Sequence, residues 1–188
     1  MKGSGMTLTG IQIERWMPDS PCLAEEIEML GAVLRACVHA GASVSFILPF
    51  SHDDAKAFWR SKVLPAVQSG QCRVLVARGG KQILGTVQLD LATPPNQPHR
   101  AEVRKLLVHP NARRRGIARA LMLAVEHEAR QAQRDLLTLD TVTGGFAEIL
   151  YSSLGYIKVG VIPGYAVRPD SPELDATTIM YKQMDPLG

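Results

Sequence analysis

The chain has 188 residues, of which 46% are hydrophobic and 21% charged, so it has the makings of a folded domain rather than a disordered or fibrous chain. Its 21 Lys and Arg against 18 Asp and Glu leave a formal charge of +3, too small a surplus to imply a nucleic acid partner. Cys22, Cys37 and Cys72 are odd in number and widely spaced, so no disulfide framework or metal site is indicated. Three buried core thiols are the expectation.

Residues 1–10 read as a flexible start or a cloning remnant, and 11–185 as one domain. Ile11, Ile13 and Trp16 alternate with polar residues, as in a half-buried strand. Ser20-Pro21 opens a helix that carries Leu23, Ile27, Leu30, Val33, Leu34 and Cys37 on one face and ends near Gly41. Ser51 before His52-Asp53-Asp54 caps a second helix that runs toward Gly70. Cys72 to Ala77, Ile83 to Leu91 and Ala101 to Val108 are strand-like, with a hairpin turn at Gly79-Gly80. A long amphipathic helix follows over about 116–133, then a strand at Leu136 to Val142 and a short helix at Phe146 to Leu154. Ile157 to Ile162 and Thr177 to Lys182 close the chain as strands. Strands alternating with helices imply an α/β (α+β) sheet with helices on both faces. No apolar run approaches the ~20 residues of a membrane span. With no secretory pattern at the start, the expected compartment is the cytoplasm.

Residues 103–118, VRKLLVHPNARRRGIA, carry the functional argument. A strand enters a tight loop and the loop enters a helix, whose first N–H groups have no partners inside the helix. The helix dipole and the guanidiniums of Arg113, Arg114 and Arg115 make the turn positive. Gly116 admits close backbone approach, and Ala118 keeps the first turn slim. A diphosphate seated on this turn is the favoured ligand. A solvated basic loop, or a patch for RNA, is the plainer alternative.

The same stretch resembles the nucleotide-binding segment of the Gcn5-related N-acetyltransferases (GNAT), whose Arg/Gln-x-x-Gly-x-Gly/Ala falls here on Arg113, Gly116 and Ala118 after Leu107-Val108-His109-Pro110. A downstream half, Tyr151-Ser152-Ser153-Leu154-Gly155-Tyr156, is similar to the family's Tyr-x-x-x-Gly-Phe. Closer similarity is to the tabtoxin-resistance acetyltransferases, in Gly41 to Phe46, Arg100 to Val103, Leu139 to Thr141 and Val159 to Arg168.

The resemblance implies the GNAT fold, a mixed and splayed sheet of about seven strands. It implies acetyl transfer from acetyl-CoA, without metal, to an amine or hydroxyl of a small molecule, including toxin- or antibiotic-like acceptors. Backbone groups of Leu106, Leu107 and Val108 would hold pantetheine. Arg113, Arg114, Arg115, Gly116, Ile117, Ala118 and Arg119 would hold the phosphates. Glu102 and Asp140, carboxylates in otherwise apolar strands, would supply the base, or else form salt bridges such as Glu102 with Arg104 or Arg100. Tyr151 would be the general acid, with a core tyrosine as the plain alternative. Ser43, Ser45, Phe46, Tyr165 and Arg168 would form the acceptor pocket, Arg168 pairing with a substrate carboxylate. His109 is expected to be a bystander. The family's usual Asn after the Asp140 strand is replaced by Thr143-Gly144-Gly145, with Phe146 packing near the thiol. A monomer or homodimer is expected, with no membrane or nucleic acid partner. A non-catalytic acyl-CoA-binding module is the alternative function.

Overall fold

The computed structural model describes residues 6–8 and 10–184. Eight strands form one sheet: β1 (Met6–Leu8), β2 (Ile11–Arg15), β3 (Cys72–Gly79), β4 (Gln82–Asp90), β5 (Arg100–Val108), β6 (Leu136–Val142), β7 (Ile157–Val167) and β8 (Leu174–Gln183). Their spatial order is β1-β2-β3-β4-β5-β6-β8-β7. Only β5 and β6 run parallel. The crossover between them is the helix α4 (Ile117–Gln131).

Helices cover both faces, as the sequence implies. On one face lie α1 (Leu23–His39) and α2 (His52–Phe58), the latter leading through a π turn at Trp59–Val63 into α3 (Leu64–Gln68). Leu30, Leu34 and Trp59 pack there against Val74 and Val76. On the other face α4 and α5 (Phe146–Ser153) bury Leu121, Val125 and Tyr151 against Val87, Val103 and Leu137. Ser51 caps α2 as expected: its hydroxyl accepts from the Asp54 N–H at 3.0 Å and its own N–H donates to the Asp54 carboxylate at 2.9 Å.

Several expectations need correcting. Met6–Leu8 pair with β2 rather than trailing free, while residues 1–5 and 9 lie outside the described residues. The first helix starts at Leu23, because the Ser20 hydroxyl is spent on a preceding turn, accepting from the Cys22 N–H at 3.2 Å. Cys37 and Cys72 are buried, but Cys22 is exposed. The strand expected to end at Ile162 continues to Val167, since a register shift between Ile162 and Ala166 absorbs Pro163 and Gly164. Among the described residues, no helix is long and apolar enough to cross a membrane.

Two irregularities shape the middle of the sheet. β5 and β6 pair only over Arg100–Leu136, Ala101–Leu137 and Glu102–Thr138, then separate. On the other side of β5, Leu107 faces Thr86 and Arg104 faces Gln88, so Lys105 and Leu106 together oppose Val87 alone. This is a β-bulge, with Lys105 in the left-handed region at φ 51°. It reverses the sense of the strand: Val103 lies in the α4-side core and Leu107 in the α1-side core, although four residues apart they would share a face in a regular strand.

The close approach of β4, β5 and α4 at this point demands glycine. A Cβ on Gly85 would stand 2.7 Å from the Leu107 carbonyl oxygen and 3.3 Å from Ile117 Cγ2. Gly85→Ala is expected to cost about 1–3 kcal/mol, as overpacking does. A thermal melt should show Tm lower by roughly 2–4 °C per kcal/mol lost.

Candidate active site

Where β5 and β6 separate, the sheet opens into a cleft of about 850 Å³. Its floor is the face of β5 and β6 opposite the α4 core. Glu102 stands level with Thr138, and Asp140 lies two residues further along β6, so all three share that face. One wall is the loop after α1 that contains Ser43 and Ser45; the others are the start of α5 with Tyr151 and the β7–β8 hairpin with Tyr165 and Thr177. Glu102, Leu106, Arg113, Asp140, Tyr151, Ser43 and Tyr165, separated by up to 122 positions in the chain, therefore meet in one space.

The turn after β5 is built as the sequence implies. His109 caps a 3-10 turn at Pro110–Ala112 by accepting, through Nδ1, the Asn111 N–H at 3.3 Å. This is a structural role, in keeping with its expected bystander status. Arg114 (φ 63°) and Gly116 (φ 77°) are both left-handed, and Gly116 is the N-cap of α4. Among the described residues the N–H groups of residues 114–119 find no acceptor; the first to do so is Ala120, which donates to the Gly116 carbonyl at 3.0 Å. Arg113, Arg114, Arg115 and Gly116 are exposed, so a cluster of unpaired donors and guanidiniums faces solvent at the positive end of a 15-residue helix. Such a cluster fits a bound phosphate group. Ile117 contributes only its backbone, because its side chain is buried in the core. Arg119 leans away, donating to the Ser153 hydroxyl at 2.7 Å on α5.

Strand alternation distinguishes the backbone groups of β5. The His109 N–H donates to the Leu84 carbonyl at 2.8 Å, so Leu107, two residues earlier and opposite Thr86, turns its N–H and C=O toward β4. Val108 turns its groups the other way, toward the separation. Its carbonyl accepts from Cys37 Sγ and from Arg113 Nε, each at 3.4 Å. Of Leu107 and Val108, only Val108 turns its amide toward the opening between β5 and β6.

The acidic groups differ in their commitments. Arg104 donates to Glu102 at 2.9 Å and to Asp90 at 2.7 Å, which realises the salt-bridge alternative for Glu102. Asp140 is exposed rather than buried, and accepts the Thr177 hydroxyl at 3.0 Å. Neither carboxylate sits in an apolar interior. The outward face of β5–β6 is the cleft floor and meets water. Tyr151 is only 6% exposed; burial, and then the nearby Asp140 charge, push its phenol well above the ordinary value.

Two residues expected in the pocket lie elsewhere. Arg168 is held by Asp175 at 2.8 Å and Glu173 at 2.6 Å, closing the β7–β8 hairpin beside a separate groove at Ile47 and Leu48. Phe46 stacks with Phe50 and Phe58 on the rim of the α1-side core. Phe146, expected to pack near the thiol, is 87% exposed at the cleft mouth. Lys105, which no sequence motif marks, lies in the cleft wall. A lysine inside LLV-type strand sequence was the available signal, but only the bulge shows where it goes.

Comparison with known proteins agrees with this geometry. Residues 70–158 match the model of the acetyltransferase (GNAT) domain. Solved structures share the fold across nearly the whole chain. A yncA protein of Salmonella typhimurium, assigned as an acetyltransferase and solved with its cofactor acetyl-CoA, is 18% identical, with a TM-score of 0.75 over 96% of this chain and 97% of its own. A ribosomal-protein-alanine N-acetyltransferase of Brucella melitensis is 22% identical, with a TM-score of 0.73 over 92% and 99%. An N-acetyltransferase of Staphylococcus aureus Mu50 is 17% identical, with a TM-score of 0.76 over 94% and 100%.

Because burial raises the Tyr151 phenol, it should keep its proton where an exposed tyrosine ionises. The near-ultraviolet tyrosinate absorbance of the native protein and of Tyr151→Phe should coincide up to about pH 11. A difference emerging near pH ~10 would show the phenol to be wet. The strand–turn–helix that presents these unpaired amides to the open floor of the split sheet lies within residues 70–158, the stretch that is similar to the acetyltransferase (GNAT) domain.

Proposed function

We infer that the protein transfers an acetyl group from acetyl-CoA directly to the amine or hydroxyl of a small cytoplasmic molecule. The observation that carries this reading is the row of unpaired N–H groups at residues 114–119 beside a cleft that holds both carboxylates and a buried phenol. The acetyl-CoA bound to the Salmonella neighbour supports it. Likeness to the tabtoxin-resistance acetyltransferases supports an acceptor of toxin or antibiotic type.

Acetyl-CoA supplies the activated thioester. The N–H groups of residues 114–119, with Arg113 to Arg115, bind its phosphates. The β5 edge beyond Glu102 is free for an extended chain of amides, much as an open strand edge receives a peptide. The Val108 N–H lies where it can stabilise negative charge on a thioester oxygen. Asp140 is the freer carboxylate and takes the proton from the acceptor, while Glu102, fixed by Arg104, positions the acceptor on the cleft floor. Tyr151 returns a proton to the departing sulfur. Its raised phenol still suits that task, because the dry surroundings that disfavour a phenolate disfavour a thiolate as well.

Acetyl-CoA at about 100 times its Kd should stabilise the fold by ~2.7 kcal/mol, raising Tm by roughly 5–10 °C. Ala118→Glu should abolish that rise while keeping the fold, since a carboxylate in the first turn suits the helix dipole but repels phosphate. No rise in the native protein would refute the reading. Asp140→Asn and Tyr151→Phe should each lower kcat by about 100-fold and leave the acetyl-CoA Kd nearly unchanged. Steady-state kinetics with calorimetry would check this.

A further inference from the structure

The charges in the cleft do not all cancel. Arg104 is divided between Glu102 and Asp90, and Asp175 is taken by Arg168. Arg113 turns toward the Val108 carbonyl on the side of the phosphate-binding turn. Among the described residues that line the cleft this leaves one ammonium, Lys105, without a carboxylate, and one carboxylate, Asp140, without a cation. Both line the same space.

Lys105 is held in place with some care. Its Nζ donates to the Ser45 hydroxyl at 3.1 Å and lies 5.6 Å from the Phe46 ring centre and 5.9 Å from that of Phe58. Both partners of that hydrogen bond have left-handed backbones, Ser45 at φ 73° and Lys105 at φ 51°, a conformation that non-glycine residues adopt only at a cost. The bulge that turns Lys105 out of the α4 core also interrupts the β4–β5 ladder. Burial makes the ammonium less favourable than in water, and the nearby Arg104 charge adds to this. A cation kept partly dry without a counter-ion is a place for an anionic group of a ligand.

We propose that the acceptor is a zwitterion, an amine that also bears a carboxylate, with its carboxylate on Lys105 and its amine beside Asp140. Lys105 is thus a specificity-determining residue, in the role that the resemblance implies for Arg168. The proposal rests on the acetyltransferase reading for its chemistry, but not for its binding. On transfer, the amine nitrogen bonds to the acetyl carbon as the carbon–sulfur bond breaks. The ammonium first loses one proton to solvent through Asp140, which frees the nitrogen lone pair. The second nitrogen proton goes to Asp140 as the amide forms, and the sulfur takes one from Tyr151. Transfer from Asp140 through water to the phenolate restores both groups. The carboxylate on Lys105 takes no part in bond making.

The test uses amino acids and dipeptides, each matched with the amine that lacks its carboxylate. In the native protein the carboxylate-bearing member of a pair should give the larger kcat/KM. In Lys105→Met that preference should fall by about tenfold or more, mainly through KM, and Lys105→Arg should restore most of it. An unchanged preference in Lys105→Met, or a native protein that favours the amines lacking carboxylate, would overturn the proposal. The acetyl-CoA Kd, measured in all three proteins, must not follow the preference; if it does, Lys105 serves the cofactor and the proposal fails. Thermal shift with the same panel, without acetyl-CoA, keeps the two readings apart. Stabilisation by amino acids in the native protein but not in Lys105→Met would uphold the zwitterion site even if acetyl-CoA did not bind. No stabilisation and no turnover by any carboxylate-bearing member would refute it.

Discussion

β5 and β6 begin as a parallel pair and stop hydrogen bonding after Glu102–Thr138, while β4 keeps hold of β5 up to Val108 and β8 keeps hold of β6 up to Val142. Each strand is satisfied on its outer side, so the sheet can divide without unravelling. A bulge increases local twist and bends its strand. The bulge at Lys105 and Leu106 stands just beyond the last paired rung, where β5 must turn away from its neighbour. Gly85 lets β4 and α4 stay close enough to hold the bent strand. The cleft, its floor of polar side chains and the free backbone edge all follow from this interruption.

The same divergence links two halves of the site that have different physics. At the far end of β5 the polar groups are main-chain amides and guanidiniums, exposed and suited to phosphate. At the near end they are carboxylates on the cleft floor and a phenol in the core behind it. A cofactor that joins phosphates to a thioester through a long thin chain of amides matches that sequence of environments. The β7–β8 hairpin closes the far side, fastened by Arg168 to Asp175 and Glu173, so its arginine serves the frame and not the ligand.

Much of this was legible in the chain. The apolar spacing of Ile27, Leu30 and Leu34, and of Leu121 and Val125, marks helices that each cover a sheet face, and both do. The helix start at Ser51 and the loop-to-helix form of the Arg113–Ala118 turn are local features whose backbone geometry depends on neighbours in sequence, and both are present. The misreadings share a cause. Glu102 and Asp140 look like costly buried carboxylates in sequence, because a strand of alternating apolar residues does not say whether its other face meets a helix or a cleft. The ion pairs of Arg168 are not legible in sequence, because its partners lie five and seven residues on, across a hairpin whose register strand patterns do not reveal.

By itself the amino-acid order determined the elements, the α/β class and the basic turn before α4, since propensity, capping and helix dipoles act over a few residues. The tertiary structure alone decided where the sheet parts, that Val108 and not Leu107 turns its amide to the opening, and that Lys105 reaches the cleft. Those three depend on one extra residue in a strand pair. A bulge changes the facing of every later side chain by contact with a neighbouring strand, and no local pattern in RAEVRKLLV records that contact.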